Sequence, residues 1–250
     1  MKIDICFRKE VDSTNDWAKQ MAGEGAPEGT LALADSQILG RGRRGRSWKS
    51  PAGDNLYMSL ILRPEIPPEK ASGLTLVMGL SAAQGITDVL ELPVKIKWPN
   101  DLVIEEKKFC GILTEMNADR QKIRFVVVGI GINVNNSAFS GELQGRATSL
   151  KLEKGTVIDK DVILEAVMAA FEKNYKIFLK TQDLSGLVEE YNRILVNRSR
   201  PVRVLNPVNA FEGVAQGINT SGELLVERAD GSVTAVYAGE VSVRGASSYV

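Results

Sequence analysis

The sequence predicts an α+β fold: a mixed β-sheet layered with helices over residues 1–199, followed by a small all-β unit over residues 200–250. Three observations lead there. Apolar residues switch between a period of two and a period near 3.6 as far as Arg200, which calls for interleaved strands and helices. Beyond Pro201 only the period of two survives, broken by turn residues. One run, Ile123 to Val134, is apolar almost throughout and suits a strand buried on both faces at the centre of a sheet.

Ile3 to Phe7 alternates as a short strand, and Ser13-Thr14-Asn15 precede Trp17, Ala18 and Met21 as capping residues precede an amphipathic helix that stops near Gly23 and Gly25. Thr30 to Ala34 and Leu56 to Leu62 are strands on either side of a glycine-arginine loop. A helix from Pro67-Pro68-Glu69 carries Leu74, Val77, Met78, Ala82, Ile86, Val89 and Leu90 on one face and ends before Pro93. Val94, Ile96 and Trp98 alternate as a strand; Leu102 to Ile104, Phe109 to Thr114 and Ile123 to Val134 follow. After a polar loop from Asn135 to Arg146, helices are expected over Val162 to Leu179 and around Leu184 to Leu195. The last section reads as five short strands in a small barrel: Val202 and Val204; Val214 and Ile218; Leu224 and Val226; Val233, Ala235 and Tyr237; Val241 and Val243. Asp230-Gly231 is its strongest hairpin signal.

Composition narrows the chemistry. At 44% hydrophobic and 25% charged the chain is an ordinary globular one, and its 31 basic and 31 acidic residues argue against a general polyanion binder. No apolar run reads as a membrane span and Asp4 interrupts any signal-peptide pattern, so a cytoplasmic protein with no membrane partner is expected. Cys6 and Cys110 sit in apolar contexts that suit buried free thiols. There is no histidine, which removes every Ser-His, Cys-His and His-metal arrangement and leaves Asp, Glu, Lys and Arg as the charged groups available to catalysis.

Against that neutral background Gly40-Arg41-Gly42-Arg43-Arg44-Gly45-Arg46-Ser47-Trp48 packs four guanidinium groups and three glycines into one loop. Glycine lets backbone N–H groups close on a ligand, and arginine supplies planar, permanently charged donors for phosphate and carboxylate oxygens. The string also fits a dinucleotide fingerprint and nearly fits a P-loop, but both must open a helix. Here Pro51 and Gly53 punctuate the chain and a strand follows. A wet basic turn is the plain alternative; a ligand-wrapping loop between two strands is preferred. Rich in glycine, it is expected to be mobile when empty.

Beside this loop stand Ser13-Thr14-Asn15, Gln37, Lys97-Trp98-Pro99-Asn100-Asp101, Lys107 to Leu113 and Gly129-Ile130-Gly131-Ile132-Asn133. The ordered set resembles the biotin protein ligases, from the first helix through the terminal strands. The resemblance implies a class II aminoacyl-tRNA synthetase/biotin ligase-like catalytic domain with an SH3-like C-terminal β-barrel. It also implies an ATP- and Mg²⁺-dependent reaction: biotin's carboxylate attacks the α-phosphate of ATP to give biotinyl-AMP, and a lysine of a biotin carboxyl carrier protein then takes the biotin. Setting two like charges 4 Å apart costs about 4 kcal/mol at an effective dielectric of 20, so such a site needs fixed cations.

By the same resemblance Arg43, Lys108 and Asp101 are the catalytic candidates. Ser13, Thr14, Asn15, Gln37, Gly40, Arg41, Gly42, Arg43, Lys108 and Gly111 would form the biotin site, and Arg43, Arg44, Arg46, Trp48, Lys97, Asn100 and Asn133 the ATP and adenylate site. Asp101 could help hold a Mg²⁺ carried mainly by substrate, or receive the incoming lysine; both roles stay open. Read on their own, Ser13 to Asn15 would be a helix cap, and Gly129 and Gly131 would mark close strand packing. The rival activities are a lipoate or octanoate ligase of the same fold, which the missing histidine disfavours, and a nucleic-acid-binding module. A homodimer is the assembly to test for.

About a dozen residues precede Ser13, too few for the helix-turn-helix reader found in some members, so a monofunctional enzyme that leaves DNA alone is expected. In a gel-shift assay at physiological salt, with biotinyl-AMP present, this chain should retain biotin-operator DNA no better than scrambled DNA. Selective retention would overturn the expectation.

Overall fold

A computed structural model describes residues 1–119, 122–205, 210–238 and 242–245, the last four as backbone only. Seven strands form the first sheet: β1 (Asp4–Val11), β2 (Thr30–Gln37), β3 (Leu56–Leu62), β4 (Lys95–Lys97), β5 (Asp101–Ile104), β6 (Lys107–Ala118) and β7 (Ile123–Ile132). Their order is β1-β2-β3-β7-β6-β5-β4. Only β1 and β2 run parallel, which makes the sheet mixed. The apolar run at 123–132 takes the middle place, as its composition requires.

Alternate residues of the central strands face opposite layers. Leu31, Leu60, Val126 and Val128 enter the main core with α2 (Gly73–Leu90) and α4 (Lys160–Thr181), whereas Ala32, Ile61 and Val127 meet Trp17, Ala18 and Ala22 of α1 (Thr14–Gly23). Two short helices, α3 (Leu150–Lys154) and α5 (Val188–Ile194), complete the layer. The segment Pro68–Leu90 is in fact long and apolar enough to cross a membrane, contrary to the sequence reading; 72% of its apolar window is buried within this protein, so the core accounts for its hydrophobicity.

Several boundaries differ from expectation. The helical signal from Pro67 resolves into a 3₁₀ turn at Pro68–Lys70 and then α2, whose first residue, Gly73, packs against the Phe178 ring. Trp98 lies outside β4, in a turn with a cis Trp98-Pro99 peptide. Its side chain is buried, its backbone N–H donates to Asn197 Oδ1 at 3.0 Å and its Nε1 donates to the Gly222 carbonyl at 3.0 Å. The helix expected from Leu184 begins only at Val188. The helix α3 was not foreseen, being too short for periodicity to register.

The terminal five strands are β8 (Pro201–Leu205), β9 (Phe211–Ile218), β10 (Leu224–Glu227), β11 (Val233–Val236) and β12 (Ser242–Gly245). They form an antiparallel sheet of order β11-β10-β9-β8-β12, with β11 and β12 outermost among the described residues. Val241, expected in the last strand, lies outside the described residues. Val202, Val204, Ala215, Leu224 and Val226 share one continuous core with the large sheet, so the two units are packed together.

Cys110 lies fully buried on β6 and burial pushes its thiol well above the ordinary range, with Asp101 adding to the shift and Lys108 opposing it. Cys6 is half-buried. A disulfide reagent at neutral pH should therefore label Cys6 in the folded protein and reach Cys110 only on unfolding. Equal labelling rates would contradict this packing.

Candidate active site

The carboxyl end of β2, the start of α1, the glycine-arginine loop, the 97–101 turn and the middle of β6 and β7 converge on one cleft. Its lining includes Ser13, Thr14, Asn15, Gln37, Arg41, Gly42, Arg43, Arg44, Arg46, Trp48, Lys97, Asn100, Asp101, Lys108 and Gly111, with Ile112, Leu113 and Ile130 as apolar wall. Gly40 and Asn133 are not brought to it. Gly40 instead lets the two arms of the loop close, since a Cβ there would lie 2.3 Å from the Trp48 carbonyl oxygen. The Asn133 amide donates to the Thr148 carbonyl at 3.2 Å and pins the 145–150 segment, which is its local role whatever a nucleotide does.

The loop is a small hairpin. Trp48 N–H donates to the Gly40 carbonyl at 2.8 Å, Gly42 N–H to the Arg46 carbonyl at 2.7 Å, and Arg41 bridges Ser47. Its tip is a 3₁₀ turn at Arg43–Gly45 in which Arg44 at φ 59° and Gly45 at φ 72° both take the left-handed region. For Arg44 that conformation costs of order 1 kcal/mol, which the hairpin bonds offset.

Trp48 lies flat on the sheet because β6 and β7 make room for it. A Cβ on Gly131 would come within 2.6 Å of the indole Nε1, and one on Gly111 within 3.1 Å of its ring. Gly129, two residues earlier on β7, does the same for Asn15, whose Oδ1 would be 1.9 Å from a Cβ. Both glycines thus serve close approach, of two different side chains.

A polar network floors one end of the cleft. Thr14 donates from its backbone N–H and its hydroxyl to Gln37 Oε1 at 2.9 and 3.1 Å, and Gln37 Nε2 donates to Ser50 Oγ at 2.8 Å. Ser59, buried in the apolar strand β3, lies 2.8 Å from Thr14 Oγ1 and 2.6 Å from Asn15 Oδ1. Asn15 Nδ2 donates to the Leu113 carbonyl at 3.1 Å and to Glu115 Oε2 at 2.8 Å. Ser13 occupies the N-cap position but makes no side-chain cap bond. Ser50, Ser59 and Glu115 were missed from sequence. A lone serine in Leu56 to Leu62 and a lone carboxylate inside β6 were signals for Ser59 and Glu115.

Charge fills the other end. Six cations, Arg41, Arg43, Arg44, Arg46, Lys97 and Lys108, line the cleft against a single carboxylate, Asp101. Lys108 Nζ stands 2.5 Å from Asp101 Oδ1, with both side chains mostly buried, and 5.2 Å from the centre of the Trp48 ring. Arg43 donates to Asn100 Oδ1 at 3.0 Å and to the Ala238 carbonyl, so the terminal unit reaches the loop directly. Burial draws Arg43 below the usual arginine range, opposed by Asp101 and reinforced by Arg44 and Arg46. Arg41 turns away from the other arginines toward Asp16 at 2.7 Å and Glu115 at 2.9 Å. Among the described residues no three His, Cys, Asp or Glu side chains could hold a metal ion together.

The family model described as the Biotin/lipoate A/B protein ligase family matches residues 7–133, and that of the Biotin protein ligase C terminal domain matches residues 200–244. The Bifunctional ligase/repressor BirA of Bacillus subtilis (strain 168) is 38% identical over 243 residues, covering 96% of this chain and 74% of the relative. The Biotin--[acetyl-CoA-carboxylase] ligase of Paracoccus denitrificans is 31% identical over 221 residues, 86% of this chain and 91% of its own. A solved structure of biotin protein ligase from Aquifex aeolicus in complex with biotin and ATP aligns with a TM-score of 0.85 at 31% identity, covering 97% of this chain and 99% of that one.

Gly131→Ala drives a methyl group into the Trp48 indole. It should destabilise the protein by about 1–3 kcal/mol, as overpacking does, and shift the tryptophan emission of the folded state. An unchanged denaturation midpoint and spectrum would show that Trp48 does not rest on β7.

Proposed function

The chain belongs to the biotin/lipoate A/B protein ligase family, and from that premise we propose that its cleft activates biotin with ATP and passes it to a lysine of a carboxylase's biotin carboxyl carrier protein. The observation that carries this reading is the division of one cleft into two chemistries. Neutral donors and acceptors at Ser13, Thr14, Asn15 and Gln37 suit an uncharged ureido ring, and the cationic end suits a carboxylate meeting a triphosphate.

In the first step a biotin carboxylate oxygen attacks the α-phosphorus, the bond to the β-phosphate oxygen breaks, and pyrophosphate leaves. Arg43 and Lys108 line the space where negative charge gathers and can turn to it from the partners that hold them, Asn100 and Ala238 for Arg43 and Asp101 for Lys108. Lys108 exchanges Asp101 for the anionic reactants, and its other neighbour, the Trp48 face, walls the adenine side. In the second step the acceptor amine attacks the acyl carbon and AMP departs. Asp101, released from Lys108, takes the amine proton. A Mg²⁺ arriving with ATP would be held mainly by phosphate oxygens and water, since Asp101 is the one carboxylate lining the cleft.

The change of element type at Pro201 supports a division near 199/200, and the Arg43 contact to Ala238 supports a terminal SH3-like unit that closes over ATP. The free thiols suit the reducing cytoplasm. Lipoate, with no ureido group, would leave the polar floor unused.

Given biotin, lipoate, ATP and Mg²⁺ without acceptor, the protein should form biotinyl-AMP in preference to lipoyl-AMP. Arg43→Ala and Lys108→Ala should each slow adenylation by roughly 10²- to 10³-fold with the fold intact. Preferential lipoyl-AMP would reject the substrate, and a loss below threefold would reject that residue's role.

A further inference from the structure

Glu115 lies on β6, outside the residues that line the cleft, yet three side chains from α1 and the glycine-arginine loop meet on its carboxylate. Oε2 accepts from Asn15 Nδ2 at 2.8 Å and from Arg41 NH2 at 2.9 Å; Oε1 accepts from Lys19 Nζ at 2.9 Å. Asp16 completes a ring of alternating charge, 2.7 Å from Arg41 and 2.8 Å from Lys19. A carboxylate in the interior of an otherwise neutral strand face is costly unless several donors converge on it, and here they do.

The bonds Asn15 already makes give this convergence its meaning. Both Nδ2 hydrogens are taken, by the Leu113 carbonyl and Glu115, and Oδ1 is held by Ser59 over the bare Cα of Gly129. Asn15 is therefore fixed in one amide orientation, and through Ser59 it fixes Thr14, which holds Gln37. On the other side Arg41 is the first residue of the hairpin that carries Arg43 and Arg44. One carboxylate thus ties the floor of the neutral end to the entry arm of the cationic loop.

We propose that Glu115 is a positioning residue for the adenylation step: its charge latches the glycine-arginine loop, through Arg41, to the Asn15-Ser59-Thr14 floor, so that the seat for the ring and the seat for the phosphates are held in register. Arg41 acts in this latch through its guanidinium. The proposal rests on the functional reading above, but the latch itself exists without substrate and can be tested without it.

The test uses Glu115→Gln, which keeps an acceptor for Asn15 and removes the charge facing Arg41, with Glu115→Asp as the conservative variant. Limited trypsin cleavage after Arg43 or Arg44 in the substrate-free protein, identified by mass, should accelerate roughly tenfold in Glu115→Gln. Added salt should speed cleavage of the unsubstituted protein more than that of Glu115→Gln. In adenylation assays the KM for biotin should rise about tenfold and that for ATP should rise with it, while the melting temperature holds, with Glu115→Asp between the two proteins. Loop cleavage and biotin KM both within about twofold would overturn the latch. So would a general collapse in which both KM values, kcat and the melting temperature worsen together. Should Glu115→Gln not fold, Asp16→Asn loosens the same arginine and must raise cleavage in the same direction. If the unsubstituted protein forms no biotinyl-AMP, the functional reading fails, and the cleavage comparison still decides the latch.

Discussion

Two missing side chains on the central strand set the geometry of everything around them. At Gly129 and Gly131 the face of β7 is bare backbone, so Asn15 from one direction and Trp48 from the other come to rest against it at distances no Cβ would allow. Glycine inside a strand weakens the strand, and β7 tolerates two because it is paired along its length with both β3 and β6. Remove that bare surface and the neutral floor and the aromatic wall both lift.

The electrostatics follow the same economy. The chain carries no net charge, yet six of its cations face one cleft with a single carboxylate. Such a concentration repels itself, and three of its members are individually held against that: Arg41 by Asp16 and Glu115, Arg43 by Asn100 and Ala238, Lys108 by Asp101. Arg44 and Arg46 are exposed at the tip and make no ion pair among the described residues. Restraint before substrate arrives is what makes fixed dipoles and charges effective.

Local signals carried most of the fold. Period and punctuation placed every strand of the large sheet, and the all-apolar run at 123–132 placed its centre. Among the boundaries that moved, Trp98 sits in a turn held by contacts far along the chain, with Asn197 and Gly222. In the site, types of residue that advertise chemistry were legible: the arginines, Lys108, Asp101 and the 13–15 triplet all reach the cleft. Asn133 looked similar and does not, since its amide is spent on the Thr148 carbonyl. Ser59 and Glu115 escaped because each matters only through partners 44 and 100 residues away.

The anchorage of Trp98 bears on how such a chain can change over evolutionary time. The turn that presents Asn100 and Asp101 is held from behind by Asn197, just ahead of the terminal sheet, and by the backbone of a hairpin within it. A terminal unit borrowed from a distant relative would have to reproduce that hairpin's height to within a hydrogen bond, or the turn bearing Asn100 and Asp101 would shift. Recombination at the boundary is thus constrained by the interior, and the two units are bound to diverge as a matched pair rather than as interchangeable parts.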